Sequence, residues 1–319
     1  MVKGSYAGTM AGEGTTRVVC VGLTTLDVVQ RVSEPVVLGG KSRSDAVELL
    51  AGGPAANAAV TAAAVLAPGA VTLVSAVGWG AAADVVRVDL AACGVRLVDL
   101  AAGLGGGSVG GDLVGGGSAL PVATCLVHAD GERTVVSPGA RSSAWDLTDE
   151  ARDEIASCAA MLVDGHHPQA GEAALREARA AGARTLLDAG SVKDHVEGWL
   201  PLVDVAAASS AYAHQLGLGP SRTLDHLLES GCDTALLTDG PRPVRWRDRH
   251  GREHATTPPA VTAVDSLGAG DAFHGALAAG VALGLELPAA VELACRVAAT
   301  RVSHASSRGW LADLAAEPG

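Results

Sequence analysis

Aromatic residues are nearly missing from this chain: Phe, Tyr and Trp together make up 3% of its 319 residues. Its core must therefore be built from alanine, valine and leucine, and at 48% hydrophobic residues there is enough of them to bury a substantial one. Basic residues are also in deficit, with 23 Lys and Arg against 35 Asp and Glu. The resulting net charge of −12 argues against a nucleic-acid backbone or an anionic membrane as the main partner. No Cys-x-x-Cys pair occurs. Cys20, Cys93, Cys125, Cys158, Cys232 and Cys295 are scattered through mostly apolar contexts, which suits reduced thiols in a cytoplasm better than a disulfide frame or a zinc site. Charge is absent from residues 49–83, but alanine is only weakly apolar and Pro68-Gly69 splits the run, so no membrane span is expected. Residues 1–16 are rich in Gly, Ser and Thr with no apolar centre; they read as a flexible tail ahead of one domain over 17–319.

Present in strength is an alternation of helical and strand patterns. From about Asp149 onward, helices over 149–157, 170–181 and 223–229 precede strands over 159–163, 184–187 and 234–238. Such alternation predicts an α/β fold with a parallel sheet covered on both faces. Arg17-Val18-Val19-Cys20-Val21-Gly22-Leu23 and Val71 to Val77 read as further buried strands. Residues 28–50 and Pro121 to Val136, the latter with an Asp130-Gly131 turn, read as hairpins. The glycine-rich segment 101–118 contains a formal Gly-x-Gly-x-x-Gly at Gly105, Gly107 and Gly110, but no apolar helix follows, and it reads as a loop.

One stretch carries chemistry. A β-favouring lead-in, Ala260 to Val264, runs into Gly268-Ala269-Gly270-Asp271, which opens an apolar helix reaching about Leu285. A helix start of this kind offers free N–H groups and the positive end of the helix dipole to an anion. Asp271 in its first turn is placed to take a proton from a hydroxyl attacking a phosphoryl group. Taken alone, the same residues also describe an ordinary helix start with an acidic first turn. A second signal is Gly52-Gly53-Pro54-Ala55-Ala56-Asn57, a glycine-rich helix entry that brings backbone N–H groups and an amide to one place. Asp27 follows the first strand, where it reads either as a turn former or as a ligand at a strand end. Lys41 by itself reads as a solvated surface lysine, and His166-His167, at a strand end, as loop or substrate-edge histidines.

Ala263 to Leu277 resembles the Asp-Thr-x-Gly-Ala-Gly-Asp motif of the ribokinase (PfkB) family of carbohydrate kinases, with Ser266 in place of Thr. Gly52-Gly53-x-x-x-Asn57 resembles the family's other motif, in the same order along the chain. The resemblance covers essentially residues 17–313. It implies a ribokinase-like three-layer α/β/α fold with a mostly parallel central sheet and a small β-sheet lid from segments 28–50 and 118–138, usually paired into a homodimer through the lids. It implies an ATP-dependent sugar kinase with Asp271 as base and Gly268, Ala269 and Gly270 holding the migrating charge. Asp27, Gly52, Gly53 and Asn57 would bind the sugar, and Thr238, Gly240 and Ala298 the nucleotide. ATP and Mg2+ are implied with it, and a potassium requirement stays open. Two departures stand out. Gly78-Trp79-Gly80 replaces the usual Gly-Asp-Asp, and Ser209 to Tyr212 lacks the Glu of Asn-x-x-Glu.

The local texts look most like the ketohexokinase and sulfofructose-kinase branch, which also lacks that Glu. Lys41 matches a lysine that branch uses on a sulfonate, while His166 stands where its arginine partner is expected. A ketose or an acidic sugar is the expected substrate. A nucleoside kinase on the same scaffold, or a non-catalytic sugar-binding homologue, are the alternatives.

Overall fold

The first strand shows how the central sheet is built. The computed structural model describes residues 16–103, 120–139 and 144–316. In it β1 (Val18–Val21) is buried along its length, with Val18 and Cys20 facing one apolar layer and Val19 and Val21 the other. A strand covered on both faces needs no polar alternation, which is why it reads as a continuous apolar run. The residue 1–15 portion of the tail and the greater part of the glycine-rich segment, residues 104–119, lie outside the described residues.

In chain order there follow β2 (Thr25–Val32), β3 (Ala46–Gly52), α1 (Pro54–Val65), β4 (Val71–Ser75), α2 (Ala81–Ala92), β5 (Val95–Asp99), β6 (Val122–His128) and β7 (Arg133–Val136). Next come α3 (Asp149–Ala156), β8 (Ala160–Val163), α4 (Pro168–Ala180), β9 (Arg184–Ala189), a 3-10 turn at Glu197–Leu202, β10 (Val205–Ser209), α5 (Ser210–Gln215) and α6 (Pro220–Glu229). The chain closes with β11 (Thr234–Thr238), β12 (Val244–Asp248), β13 (Glu253–Thr256), α7 (Ala269–Ala282), α8 (Leu287–Val302) and α9 (Leu311–Ala316).

The large sheet has the order β13-β12-β11-β10-β9-β8-β1-β4-β5. Its strands are parallel from β11 to β5, and β12 and β13 add an antiparallel edge. A separate four-stranded sheet, β3-β2-β6-β7, carries the two hairpin segments. This is the ribokinase-like architecture that the motifs imply.

Three expectations shift. Asp27 lies within β2 of the small sheet, paired with Leu50 and Ala123, and not in a turn after β1. The lead-in Ala260 to Val264 forms no strand: Pro258 and Pro259 supply no donors, and only the Val264 and Asp265 N–H groups are engaged, both by the Val302 carbonyl. The following helix stops at Ala282 rather than near Leu285, because Gly284 (φ 75°) turns the chain and its N–H closes on Val281.

Helices α1 and α7 decide where the site lies. Both are rich in alanine, and Ala272 to Gly280 of α7 are all buried. Their backbones touch at Gly275, where a Cβ would lie 2.2 Å from the Ala58 carbonyl oxygen. Only glycine allows that approach. It brings the first turns of the two helices, and therefore Asn57 and Asp271, side by side. Among the described residues, no helix is long and apolar enough to cross a membrane. All six cysteines are free.

Candidate active site

The loop entering α7 is held from several directions. Asp265 is fully buried. Its Oδ2 accepts from Arg31 Nη2 of β2 (3.1 Å) and Arg301 Nη2 of α8 (3.0 Å), and its Oδ1 accepts from the Leu267 N–H (2.8 Å). A carboxylate facing two guanidinium groups meets the condition under which burial of charge is tolerated. From the other half of the small sheet, Arg133 Nη1 donates to Ser266 Oγ (2.9 Å), which donates in turn to the Gly131 carbonyl (3.2 Å). Both hairpins of the small sheet therefore grip this loop.

Gly268 then caps α7 in the left-handed region (φ 72°). Ala269 donates to the Ser266 carbonyl, whereas no protein acceptor takes the N–H groups of Gly268, Gly270 or Asp271 among the described contacts. Free donors at a helix start are suited to a phosphate. A Cβ on Gly268 would lie 3.8 Å from both Asn57 Nδ2 and Asp271 Oδ2, facing the same space as the carboxylate.

Asp271 is half-buried, and its Oδ2 accepts from Asn57 Nδ2 at 2.8 Å. Burial raises its pKa to about 7, reinforced by the charge of Asp188 and opposed by Asn57 and His274. A carboxyl tuned toward neutrality is a competent proton acceptor at physiological pH.

Asp27 points into the same cleft, which Asn57, Leu267, Gly268, Arg301 and Arg308 also line. It is buried, accepts from Thr25 Oγ1 at 2.5 Å, and rests on Gly52, where a Cβ would lie 2.0 Å from the Asp27 Cγ. Burial pushes its pKa up, against Thr25, Arg308 and Cys125. Gly53 adopts φ 90° against the Leu23 carbonyl. Sequence motifs marked these glycines for contact with a ligand; their immediate structural demand is close packing around Asp27 and Leu23.

The other expected residues lie elsewhere. His166 is not among the residues lining the cleft. Its Nδ1 sits 3.1 Å from Asp164 Oδ1, and its N–H bonds the same oxygen at 2.8 Å. Asp164 Oδ2 accepts from the N–H groups of Leu23 (2.8 Å) and Ala55 (3.1 Å), tying the end of β1 to the start of α1. Burial opposes the charge on Asp164, yet His166 and the Leu23 N–H hold its pKa well below the usual carboxylate range. His167 is buried with neither ring nitrogen partnered among the described residues, and burial lowers its pKa. Lys41 is exposed in the β2–β3 connection and is not among the residues lining the cleft. Thr238 ends β11 with its hydroxyl on the Ala208 carbonyl (3.3 Å), Gly240 turns the chain toward β12 (φ 56°), and Ala298 is partly buried on α8.

Sequence reasoning gave Arg308 no role. Its Nη2 donates to the Ala51 carbonyl (2.6 Å) and to Asp89 Oδ2 (2.8 Å), which places its positive charge beside Asp27. The basic run over 242–252 is a surface hairpin in which Arg242, Arg247, Arg249 and Arg252 pair with Asp225, Asp233, Asp239, Asp248 and Glu253. No group of three or more His, Cys, Asp or Glu side chains able to hold a metal forms among the described residues.

The family model for pfkB family carbohydrate kinases matches residues 15–100 and 118–312. The chain belongs to that family. Among solved structures, a "putative ribokinase" from Agrobacterium tumefaciens is 26% identical with a TM-score of 0.79, over 94% of this chain and 96% of that one. Two more distant matches bear on the fold alone. Arabidopsis thaliana ribokinase, solved with ribose and ATP, is 18% identical with a TM-score of 0.74 over 95% of this chain and 99% of that one. Adenosine kinase from Sinorhizobium meliloti is 19% identical with a TM-score of 0.74 over 95% and 98%. As a member of a carbohydrate kinase family, the chain carries a fold built for phosphoryl transfer to an alcohol.

Proposed function

We propose that this protein transfers the γ-phosphoryl group of ATP to a hydroxymethyl group of a small sugar, a ketose or an acidic sugar. The observation that carries the reading is the pairing of Asp271 with Asn57 at a helix start where the N–H groups of Gly268, Gly270 and Asp271 have no protein acceptor among the described residues. Asp271 takes the proton from the attacking hydroxyl. The N–H groups of Gly268 and Gly270, with the dipole of α7, hold charge on the migrating phosphoryl group, and Ala269 shapes the turn between them. Asp27 and Asn57 bind sugar hydroxyls so that the attacking oxygen faces the phosphate in line, and Gly52 and Gly53 let the chain pack closely enough to present them.

The cleft fits a nucleotide phosphate: its donors are free and its first helical residues have no bulk facing the carboxylate. Thr238, Gly240 and Ala298 would border the nucleotide beyond it. Bound with the ATP phosphates, Mg2+ would supply neutralisation of their charge; the protein's share is the fixed N–H donors and the base.

The small sheet acts as the lid over the sugar, since both its hairpins hold the loop before α7. Its outer face exposes Val47 (58%), Leu49 (54%) and Val136 (66%), which suits pairing with a second copy. Light scattering on Leu49→Glu tests this: a monomer from a dimeric parent supports the lid contact, and an unchanged mass refutes it.

Within the family we favour the ketohexokinase and sulfofructose-kinase branch. On that reading Lys41 and His166 would contact an anionic sugar group, and His166 would have to leave Asp164 to do so. A sugar is favoured over a nucleoside because the one aromatic among the described residues lining the cleft, Trp310, is 2% exposed and offers no open ring face. The deciding experiment is ADP release with Mg-ATP over fructose, sulfofructose, ribose, 2-keto-3-deoxygluconate, tagatose phosphate and adenosine. One sugar should be turned over far better than the rest, and Asp271→Asn should abolish it. A preference for adenosine, or sugar binding without ADP release, would overturn the proposal.

A further inference from the structure

Beneath Asp271 lies a buried contact between a histidine and an aspartate that the proposed chemistry does not by itself require. His274 stands one turn along α7, with its side chain 4% exposed, and faces Asp188 of β9, whose side chain is 7% exposed. His274 Nδ1 is 3.2 Å from Asp188 Oδ2, off the line of an ideal hydrogen bond, and His274 Nε2 is 3.3 Å from the Ala207 carbonyl oxygen of β10. Both neighbours are acceptors. A neutral imidazole has one N–H and would set a lone pair against one of these oxygens, whereas only the doubly protonated ring offers a proton to each. The Asp188 carboxylate has no other hydrogen-bonding or ionic partner among the described residues, and a buried carboxylate without a counter-charge is costly.

We propose that His274 is a positioning residue held as an imidazolium between Asp188 and the Ala207 carbonyl, and that this buried cation keeps Asp271 able to ionise at working pH. The inference rests on Asp271 being the base. The groups that face His274 are Asp188 from β9, Asp271 on its own helix and the Ala207 carbonyl from β10. From α1 comes the neutral amide of Asn57, on the Asp271 side, and beyond β8 Asp164 acts on Asp271. On the other packed elements, the thiols of Cys20 (β1) and Cys295 (α8) are held protonated by burial. The balance is consistent with the geometry. Burial works against a charged His274, but Asp188 and Asp271 outweigh it and raise its pKa. Asp188 and His274 then pull Asp271 in opposite directions, and removing the cation alone would leave Asp188 to hold the base protonated.

The test starts from the unaltered protein. With 15N-labelled histidine, the imidazole signals of His274 should show both ring nitrogens protonated from pH 6 through pH 8; a singly protonated ring at pH 7 overturns the proposal. The carboxyl 13C signal of Asp271, identified by its loss in Asp271→Asn, is then followed in His274→Gln. Its titration should move upward by about one unit, a tenfold change in proton affinity. Adding Asp188→Asn should bring it back, because the pair of charges is then removed together. The acidic limb of kcat/KM should move in step. A purely structural tie between α7 and β9 would lower stability in both variants without moving the Asp271 titration, and that outcome also overturns the proposal. If Asp271→Asn keeps full activity, the base assignment fails while the ring-protonation result still stands or falls on its own.

Discussion

Asn57 Nδ2 donates to Asp271 Oδ2 across 2.8 Å, joining two residues 214 positions apart in the chain. The bond exists because α1 and α7 are made of small residues that let their first turns meet. It fixes the direction of the Asp271 carboxylate and engages only Oδ2, the arrangement that the proposed role as base needs.

Replacing Asp271 with Asn should lower kcat by at least the 10²–10⁴-fold typical of a lost general base, with the sugar KM little changed. Stability should move the other way. The folded pKa of Asp271 lies above its unfolded value, so its stabilising contribution is present below the unfolded carboxylate range and lost as pH rises through about 7. Asp271→Asn escapes that loss, and its melting temperature should gain on the parent between pH 5 and pH 8. A variant that loses activity and stability together at pH 8 would indicate misfolding instead.

The pH dependence of the unaltered enzyme follows from the same shift. The base works only when ionised, so kcat/KM should fall tenfold per unit as pH drops below about 7. A profile flat down to pH 5 would mean that the cleft does not hold Asp271 as described.

Much of this site is legible in the sequence, but unevenly. The strands and helices after Asp149 announce themselves through periodicity, and Asp27, Asn57 and Asp271 through motifs. Strand β10, Val205–Ser209, escapes notice because Val-Ala-Ala-Ala-Ser has neither β-branched enrichment nor alternation. Ala260 to Val264 errs the other way: its valines favour a strand, but Pro258 and Pro259 just before it supply no donors, and the Val264 N–H is taken by the Val302 carbonyl. Arg308 and the His274–Asp188 pair are invisible for a different reason. A single arginine in a loop, or a histidine and an aspartate far apart in the chain, has no local pattern, and only the fold makes them partners of the site.

Gly52→Ala should act through Asp27. The added methyl would fall 2.0 Å from the Asp27 Cγ, so the carboxylate must move out of the cleft. The expected result is a sugar KM raised about tenfold or more with ATP affinity unchanged, as for loss of one well-placed charged hydrogen bond. Calorimetry with each ligand separately checks it, and equal losses for sugar and nucleotide would point to a wider collapse.

Arg308→Met removes the donor to the Ala51 carbonyl and a charge beside Asp27. Leaving a part-buried carbonyl unpaired should cost about 1–3 kcal/mol in urea unfolding. Asp27 should also protonate more readily, so the rise in sugar KM should be greatest on the acidic side. A variant with parental stability and a KM penalty independent of pH would refute both parts.

Gly275→Ala tests the helix contact that sets the whole arrangement. Its methyl would meet the Ala58 carbonyl oxygen at 2.2 Å, and because that neighbour is backbone, α1 and α7 must separate. Overpacking of this kind should cost about 1–3 kcal/mol. The separation also stretches the Asn57–Asp271 bond, so kcat should fall although neither residue is changed. The double variant Gly275→Ala with Asn57→Ala shows whether the two effects share a cause. If the glycine acts by holding Asn57 against Asp271, its further effect on kcat in the Asn57→Ala background should be much smaller than alone, while the stability cost persists. Independent effects on kcat would mean that the close approach of α1 and α7 matters to the fold but not to the base.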